Sequence, residues 1–252
     1  MFPMLPLGPL SIPTEPFLAL FAVIIGLDVL TRYGRHLGLN PDRLWNCSLW
    51  AIFTGLIVAR LWNVGQFWPI YMDEPLLIIS PRPSGFALIP GLIAAFVAGY
   101  GYLLYHAMDP LRTAVATMMG VITAGVLFSL SGLLTGKLTG MPTELPWANW
   151  YYGELQHPVG LYRAIGLIVL LITLWLGGNP QRPARILWLG GLGYSLLHFV
   201  TETFVADALL VGTFRAGQVG AWILALFCCG CLGMTQRPKN ELLEKNNNEP
   251  TT

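Results

Sequence analysis

Apolar residues run through this chain in blocks too long and too unbroken for the core of a soluble domain. Seven stand out, roughly 14–31, 44–64, 85–107, 111–136, 158–178, 185–204 and 213–235, with polar or proline-rich connections between them. Each approaches the ~20 residues needed to cross a hydrocarbon core about 30 Å thick. Backbone groups inside such a core must be paired within their own segment, so the pattern predicts helices. The expected architecture is an all-α polytopic membrane protein with seven transmembrane helices. They form one domain over residues 1–235, followed by a polar tail, residues 236–252, expected to be disordered.

Composition supports this class. Of the 252 residues, 54% are hydrophobic and 11% charged, against about 25% charged in a typical soluble domain. The net charge of +1 gives no footing for nucleic-acid binding. The opening "MFPMLPLGPLSIPTEP" carries no Lys or Arg and no small-residue cleavage site before the first apolar block, so no removable signal peptide is expected.

The basic residues predict an orientation. Arg32, Arg35, Arg43, Arg112, Arg182, Arg185, Arg237, Lys239 and Lys245 fall on one side, and Arg82, Lys137 and Arg215 on the other. Cytoplasmic connections carry the excess of Lys and Arg, which places the amino terminus outside and the carboxyl terminus in the cytoplasm. Two connections on the outer side, 65–84 and 137–157, are long and rich in Trp, Tyr and Pro. They read either as aromatic belts at headgroup level or as arms that touch substrate.

Ionisable residues within spans cost about 2.5–3.5 kcal/mol on insertion scales and mark functional sites by default. Here they are Asp28, Arg60, Arg163, His198 and Glu202, with Gln218 as a neutral companion. Tyr194, His198 and Glu202 in "GYSLLHFVTE" are spaced four apart and share one helix face. His198 and Glu202 are within reach of each other, either as a base with its orienting carboxylate or as a polar pair joining helices. Arg60, in "VARLWNV", suits an anion, or else pairs with Asp28 or reaches the interface. Arg163 is expected to reach the outer interface. His157, before Pro158, reads as a helix cap or a site residue. Cys228, Cys229 and Cys231 read as packing thiols rather than metal ligands, and no P-loop, Rossmann fingerprint, zinc motif or Ser-His-Asp order is present. No metal or cofactor is expected. A transporter is compatible with the buried charges, but no internal pseudo-symmetry supports one.

Several stretches, taken in order, resemble the prolipoprotein diacylglyceryl transferase family: "LGPLSI", "ARLWNV", "SGFALIPGLIAAF", "GKLTGMPTELPW" followed by "HPVGLY", then "GYSLLHFVTE" and "AGQVGAW". Together they span residues 7–235. The resemblance implies transfer of a diacylglyceryl group from phosphatidylglycerol, or another anionic phospholipid, to the lipobox cysteine thiol of a lipoprotein precursor. It also implies the precursor's signal peptide as a partner and the bacterial plasma membrane as the location. Tyr194 and Glu202 fall on the family's Tyr and Glu, and His198 falls where the family has Arg. Those three are assigned to catalysis by the resemblance, and Arg60, Gly91, Gly136 and His157 to substrate binding. The chain departs from the family elsewhere. Ile89 stands at the family's His, Val126 at an Arg, Ser129 at an Asn, Leu133 at a Glu, and Glu15 at the Tyr of the first helix, while Gly125, Gly132 and Gly136 are kept. Two readings stay open on this pattern. Either Arg60, Tyr194, His198 and Glu202 carry the chemistry in another way, or the chain is an inactive paralogue that binds phospholipid or lipoprotein precursors.

Overall fold

A computed structural model of the chain describes residues 4–7, 10–78 and 85–236. The elements in chain order are β1 (Met4–Leu7), β2 (Leu10–Pro13), α1 (Thr14–His36), α2 (Pro41–Gln66), α3 (Trp68–Asp73), α4 (Leu88–Tyr105), α5 (Pro110–Thr135), β3 (Asn149–Tyr151), β4 (Glu154–Gln156), α6 (Val159–Gly177), α7 (Pro183–Glu202), β5 (Leu210–Val211), β6 (Phe214–Arg215) and α8 (Ala216–Gln236). Every predicted span is a helix. Among the described residues, six helices are long and apolar enough to cross a membrane: α1, α2, α4, α5, α6 and α8. The protein is therefore a helical, multi-pass membrane protein. Helix α7, which carries Arg185, His198 and Glu202, is not one of the six.

The helix ends follow from local chemistry. The side chain of Asn40 accepts from the backbone N–H groups of Asp42 and Arg43, with Pro41 in the first turn. Asp109 does the same for Leu111 and Arg112 ahead of α5. Helix α1 stops at Gly38, whose φ of +79° lets the N–H of Leu39 turn back to the Gly34 carbonyl at 2.9 Å.

The strands form three two-stranded antiparallel ribbons, β1-β2, β3-β4 and β5-β6. The connection 137–157, read as an aromatic belt or a substrate-touching arm, folds its second half into the β3-β4 hairpin. Tyr152 and Gly153 both take positive φ in its two-residue turn. The connection 65–84 begins as the end of α2, continues as α3 and then as a 3-10 turn over Pro75–Ile78. Its remainder, with Arg82, lies outside the described residues, as does the tail from 237.

The chain packs as two compact units, Val23–Gly120 and Met1–Ala22 with Val121–Thr252. In the first unit, Tyr33, Leu44, Val115 and Met119 are fully buried. Helices α2 and α4 approach there through small residues. A Cβ added at Gly91 would lie 2.7 Å from the Ala59 Cβ, and one added at Gly55 would lie 2.9 Å from the Ala95 Cβ. In the second unit, α6 and α7 run antiparallel. Gly166 receives Leu197 and Gly193 receives Leu170, while Gly160 lies against the Ser129 carbonyl and Leu133 of α5. Glycine removes the side chain at each contact, so these axes close together and fix the register of α6 on both neighbours. The outward faces of the long helices stay apolar, with Phe53, Trp62, Phe96 and Ile223 exposed, as a lipid-facing surface requires.

Candidate active site

The α6–α7 register brings together groups that lie far apart in the chain. Three residues before Gly166 stands Arg163, and four after Leu197 stands Thr201. The Arg163 guanidinium donates from Nε to Thr201 Oγ1 at 3.1 Å and from Nη2 to Glu202 Oε2 at 2.7 Å. The ion pair is largely withdrawn from solvent, with side-chain exposures of 19% for Arg163 and 11% for Glu202. Gly217, at the start of α8, leaves room for this carboxylate, since a Cβ there would come within 2.6 Å of Glu202 Cδ. The backbone around Glu202 is also fastened, because Arg215 Nη1 donates to the Glu202 carbonyl at 2.7 Å.

This geometry corrects one expectation and refines another. Arg163 does not reach to the interface; it turns inward onto α7. Glu202 does not hydrogen-bond His198, whose Nε2 is 3.8 Å from Oε2. The shared face of α7 is nonetheless real. The Tyr194 and His198 rings stack with centroids 6.1 Å apart and planes within 4°. A cavity of about 190 Å³ lies between α5, α6 and α7, bordered by Ser129, Arg163, Tyr194, His198 and Thr201. Its α5 wall includes Gly125 and Phe128. Arg163 and Thr201 were not among the assigned site residues. An arginine one turn inside an apolar span was the available signal, and only its direction was misread.

A second polar cluster of the same unit sits at the head of α6. Pro158 takes the capping position of this helix, so His157 does not cap it. Its Nδ1 lies 3.2 Å from the Tyr162 hydroxyl, which accepts from Trp147 Nε1 at 2.8 Å. The ring also packs on Phe204, with centroids 4.8 Å apart. Gly140 holds this loop close, since a Cβ there would overlap the His157 carbonyl. Gly136, with φ +70°, ends α5 in the left-handed region. The hydroxyl of Tyr151 donates to the Leu133 carbonyl of α5, and burial raises its pKa above the ordinary tyrosine value.

Arg60 belongs to the other unit. Its guanidinium donates to three backbone carbonyls, Ile78 from Nε at 3.1 Å, Gly85 from Nη1 at 2.7 Å, and Leu77 from Nη2. The rings of Tyr71 and Phe86 each lie 5.5 Å from its central carbon. The alternative pairing with Asp28 is not formed, since Asp28 binds Arg32 at 2.8 Å. A cavity of about 250 Å³ adjoins Arg60, Asn63, Tyr71 and Gly85, and the Tyr71 hydroxyl donates to Asn63 Oδ1 at 2.9 Å. Gly91 is placed at the α2–α4 contact, where it faces Ala59.

The family model described as "Prolipoprotein diacylglyceryl transferase" matches residues 3–234. The chain belongs to this family. Among its relatives is a phosphatidylglycerol–prolipoprotein diacylglyceryl transferase of Clostridioides difficile, 27% identical over 198 residues, which cover 78% of this chain and 80% of the relative. Another, of the same name, comes from a Synechocystis species and is 28% identical over 240 residues, 88% of this chain and 85% of the relative. In this family member the Tyr194, His198 and Glu202 helix thus stands beside an arginine from α6, with a cavity between them and α5.

Proposed function

We propose that this chain is a phosphatidylglycerol–prolipoprotein diacylglyceryl transferase of the bacterial plasma membrane. The observation that carries the reading is the cavity between α5, α6 and α7, where Arg163, Tyr194 and His198 converge, in a chain matched by the family model over residues 3–234. The product of such a transfer is a thioether. The thiol sulfur therefore attacks the glycerol carbon of the donor, the carbon–oxygen bond breaks, and glycerol phosphate leaves with the bonding electrons. A cysteine thiol has a pKa of about 8.5 and reacts as thiolate, so a group in the site must take its proton. His198 is assigned that role, with Tyr194 stacked on it as a hydroxyl donor at the cavity wall and Glu202 as the carboxylate that completes the face. Arg60 and His157 are assigned contacts to the substrate's polar parts, and Gly91 and Gly136 act through the backbone they shape.

Seven spans, an outer amino terminus and a cytoplasmic carboxyl terminus belong to the same proposal, supported by the distribution of basic residues. The donor enters from the bilayer, and the signal peptide of the precursor brings the thiol to the outer face.

The test is transfer in a membrane. The purified chain in phosphatidylglycerol liposomes is given a lipobox peptide, and mass spectrometry seeks the added diacylglyceryl mass. Product from the wild type, and none from folded Glu202→Gln or His198→Ala, is the expected result. No product beside an active relative overturns the transfer reading. It then favours a phospholipid- or precursor-binding paralogue, to which the apolar Gly125 and Phe128 wall of the cavity is suited.

A further inference from the structure

We infer that Arg163 is the fixed cation that receives the donor's phosphodiester, a specificity-determining residue that Thr201 and Glu202 aim into the cavity. The inference deepens the transfer reading and rests on it for the identity of the donor.

Three observations carry it. The first is placement. Arg163 is held one turn inside an apolar helix by the α6–α7 register, and Gly166 and Gly193 fix that register by admitting Leu197 and Leu170. The second is incomplete use. A guanidinium has five N–H donors, and the structure accounts for two of Arg163's, Nε to Thr201 and Nη2 to Glu202. Arg163 fronts an open cavity, while Glu202 is not part of the cavity wall. The third is the composition of that wall. Ser129 spends its hydroxyl proton on the Gly125 carbonyl at 2.7 Å, and Thr201 directs its own to the His198 carbonyl. Among the described residues bordering the cavity, Arg163 is therefore the one permanent cation.

The cavity volume of about 190 Å³ equals roughly six waters at about 30 Å³ each, which suits a phosphodiester headgroup. Negative charge grows on the donor's phosphate during the step. The diester carries one negative charge, and the departing glycerol phosphate gains a second formal charge as the carbon–oxygen bond breaks. A preoriented guanidinium binds the departing group more strongly than the ground state, so it acts on turnover as well as on binding. Glu202 then serves as a positioning residue for Arg163, besides any part it plays beside His198.

The experiment compares wild type, Arg163→Gln, Arg163→Lys and Glu202→Gln, each checked for a folded thermal transition in detergent. Two readouts are taken: kcat and KM in the liposome assay, and retention of phosphatidylglycerol against diacylglycerol, which lacks phosphate, by native mass spectrometry. Arg163→Gln is expected to lose roughly 100- to 1,000-fold in kcat, the range for removing one preoriented donor. It should also lose its preference for phosphatidylglycerol while keeping diacylglycerol. Arg163→Lys is expected to recover at least tenfold of the loss. Wild-type kcat, KM and lipid preference in folded Arg163→Gln would overturn the inference and leave the transfer reading intact. An inactive wild type whose phosphatidylglycerol preference depends on Arg163 would overturn transfer and keep the phosphate site. No transfer and no Arg163-dependent preference would overturn both.

Discussion

Glu202 closes α7 with its carboxylate against Arg163 and its backbone carbonyl against Arg215, so one residue ties α6 and the β5-β6 ribbon to the end of a third element. Removing one member of a buried pair leaves the other uncompensated, at about 3–5 kcal/mol. Glu202→Ala is accordingly expected to lower the thermal midpoint in detergent much more than Glu202→Gln, which keeps an oxygen acceptor for Arg163. Wild-type midpoints in both variants would show that the pair carries no net stability, and equal losses in both that the retained oxygen acceptor contributes nothing. Tyr151 offers a test away from the spans. The residue is 7% exposed, and its hydroxyl donates to the Leu133 carbonyl, an interaction that needs the proton. Burial raises the folded pKa above the ordinary value of 10.0, so the stabilisation is fully present below the unfolded pKa and is lost as pH climbs through the folded one. Tyr151→Phe is expected to cost about 0.5–1.5 kcal/mol at pH 7, with the wild type's advantage shrinking as pH climbs through the folded pKa. A difference that grows with alkalinity would refute that assignment. Neither contact was legible in the sequence. The spacing of His198 and Glu202 is local and visible in four residues. Arg163 to Glu202 depends on two helices meeting in one register, and Tyr151 to Leu133 on a hairpin folding back.

The elements themselves were largely written in the apolar pattern, because each span must satisfy its own backbone and needs no partner to be recognised. Their capping residues, Asn40 and Asp109 before prolines and Gly38 after α1, set the ends more sharply than hydropathy did. The three ribbons were not legible. Strands of two to four residues carry too little periodicity, and in β3-β4 the turn is made by Tyr152, which is not a usual turn residue. Helix pairing leaves a weaker trace in the form of glycine and alanine, and the α2–α4 contact shows how it acts. Gly91→Val puts branched carbon where the first added atom already meets Ala59 at 2.7 Å. Overpacking of this kind costs about 1–3 kcal/mol. Gly101→Val in the same helix meets nothing within 4 Å and is expected to stay within about 0.5 kcal/mol of wild type. Comparable thermal midpoints for the two variants would mean that the α2–α4 approach is not a constraint. Because the carbonyls of Leu77, Ile78 and Gly85 are held by Arg60 on α2, and the N–H of Ala87 donates to the Ala59 carbonyl at 3.0 Å, Gly91→Val would also disturb the surroundings of Arg60. The role of Gly91 thus reaches the second cavity through packing.

For the whole molecule, the arrangement of charges decides how the chain lies in a bilayer. The sets led by Arg32, Arg35 and Arg43 and by Arg182 and Arg185 sit in connections separated by an even number of the proposed spans, so they share a side. The β3-β4 hairpin and the β5-β6 ribbon fall in connections of the other parity, where Lys137 and Arg215 are already bound, to Glu15 and to the Glu202 carbonyl. In the proposed arrangement these are the outer connections, and they expose large apolar side chains, Trp150 at 67% and Leu209 at 81%. That pattern fits a surface resting at the headgroup level. Parity also makes α7 decisive. If Pro183–Glu202 did not cross, everything after residue 202 would change sides, and the Glu202 end of the site would lie in a different compartment from the thiol it serves. The arrangement is open to direct labelling. Cys47, Cys228 and Cys231 are buried and Cys229 is exposed, so a Cys229→Ser background leaves a quiet chain. In that background, Trp150→Cys and Leu209→Cys are expected to react with a membrane-impermeant maleimide on intact cells, and Gln181→Cys only after lysis. Reaction at Trp150→Cys but protection at Leu209→Cys would show that α7 does not span. Reaction at Gln181→Cys alone would invert the whole arrangement and place the site on the cytoplasmic side.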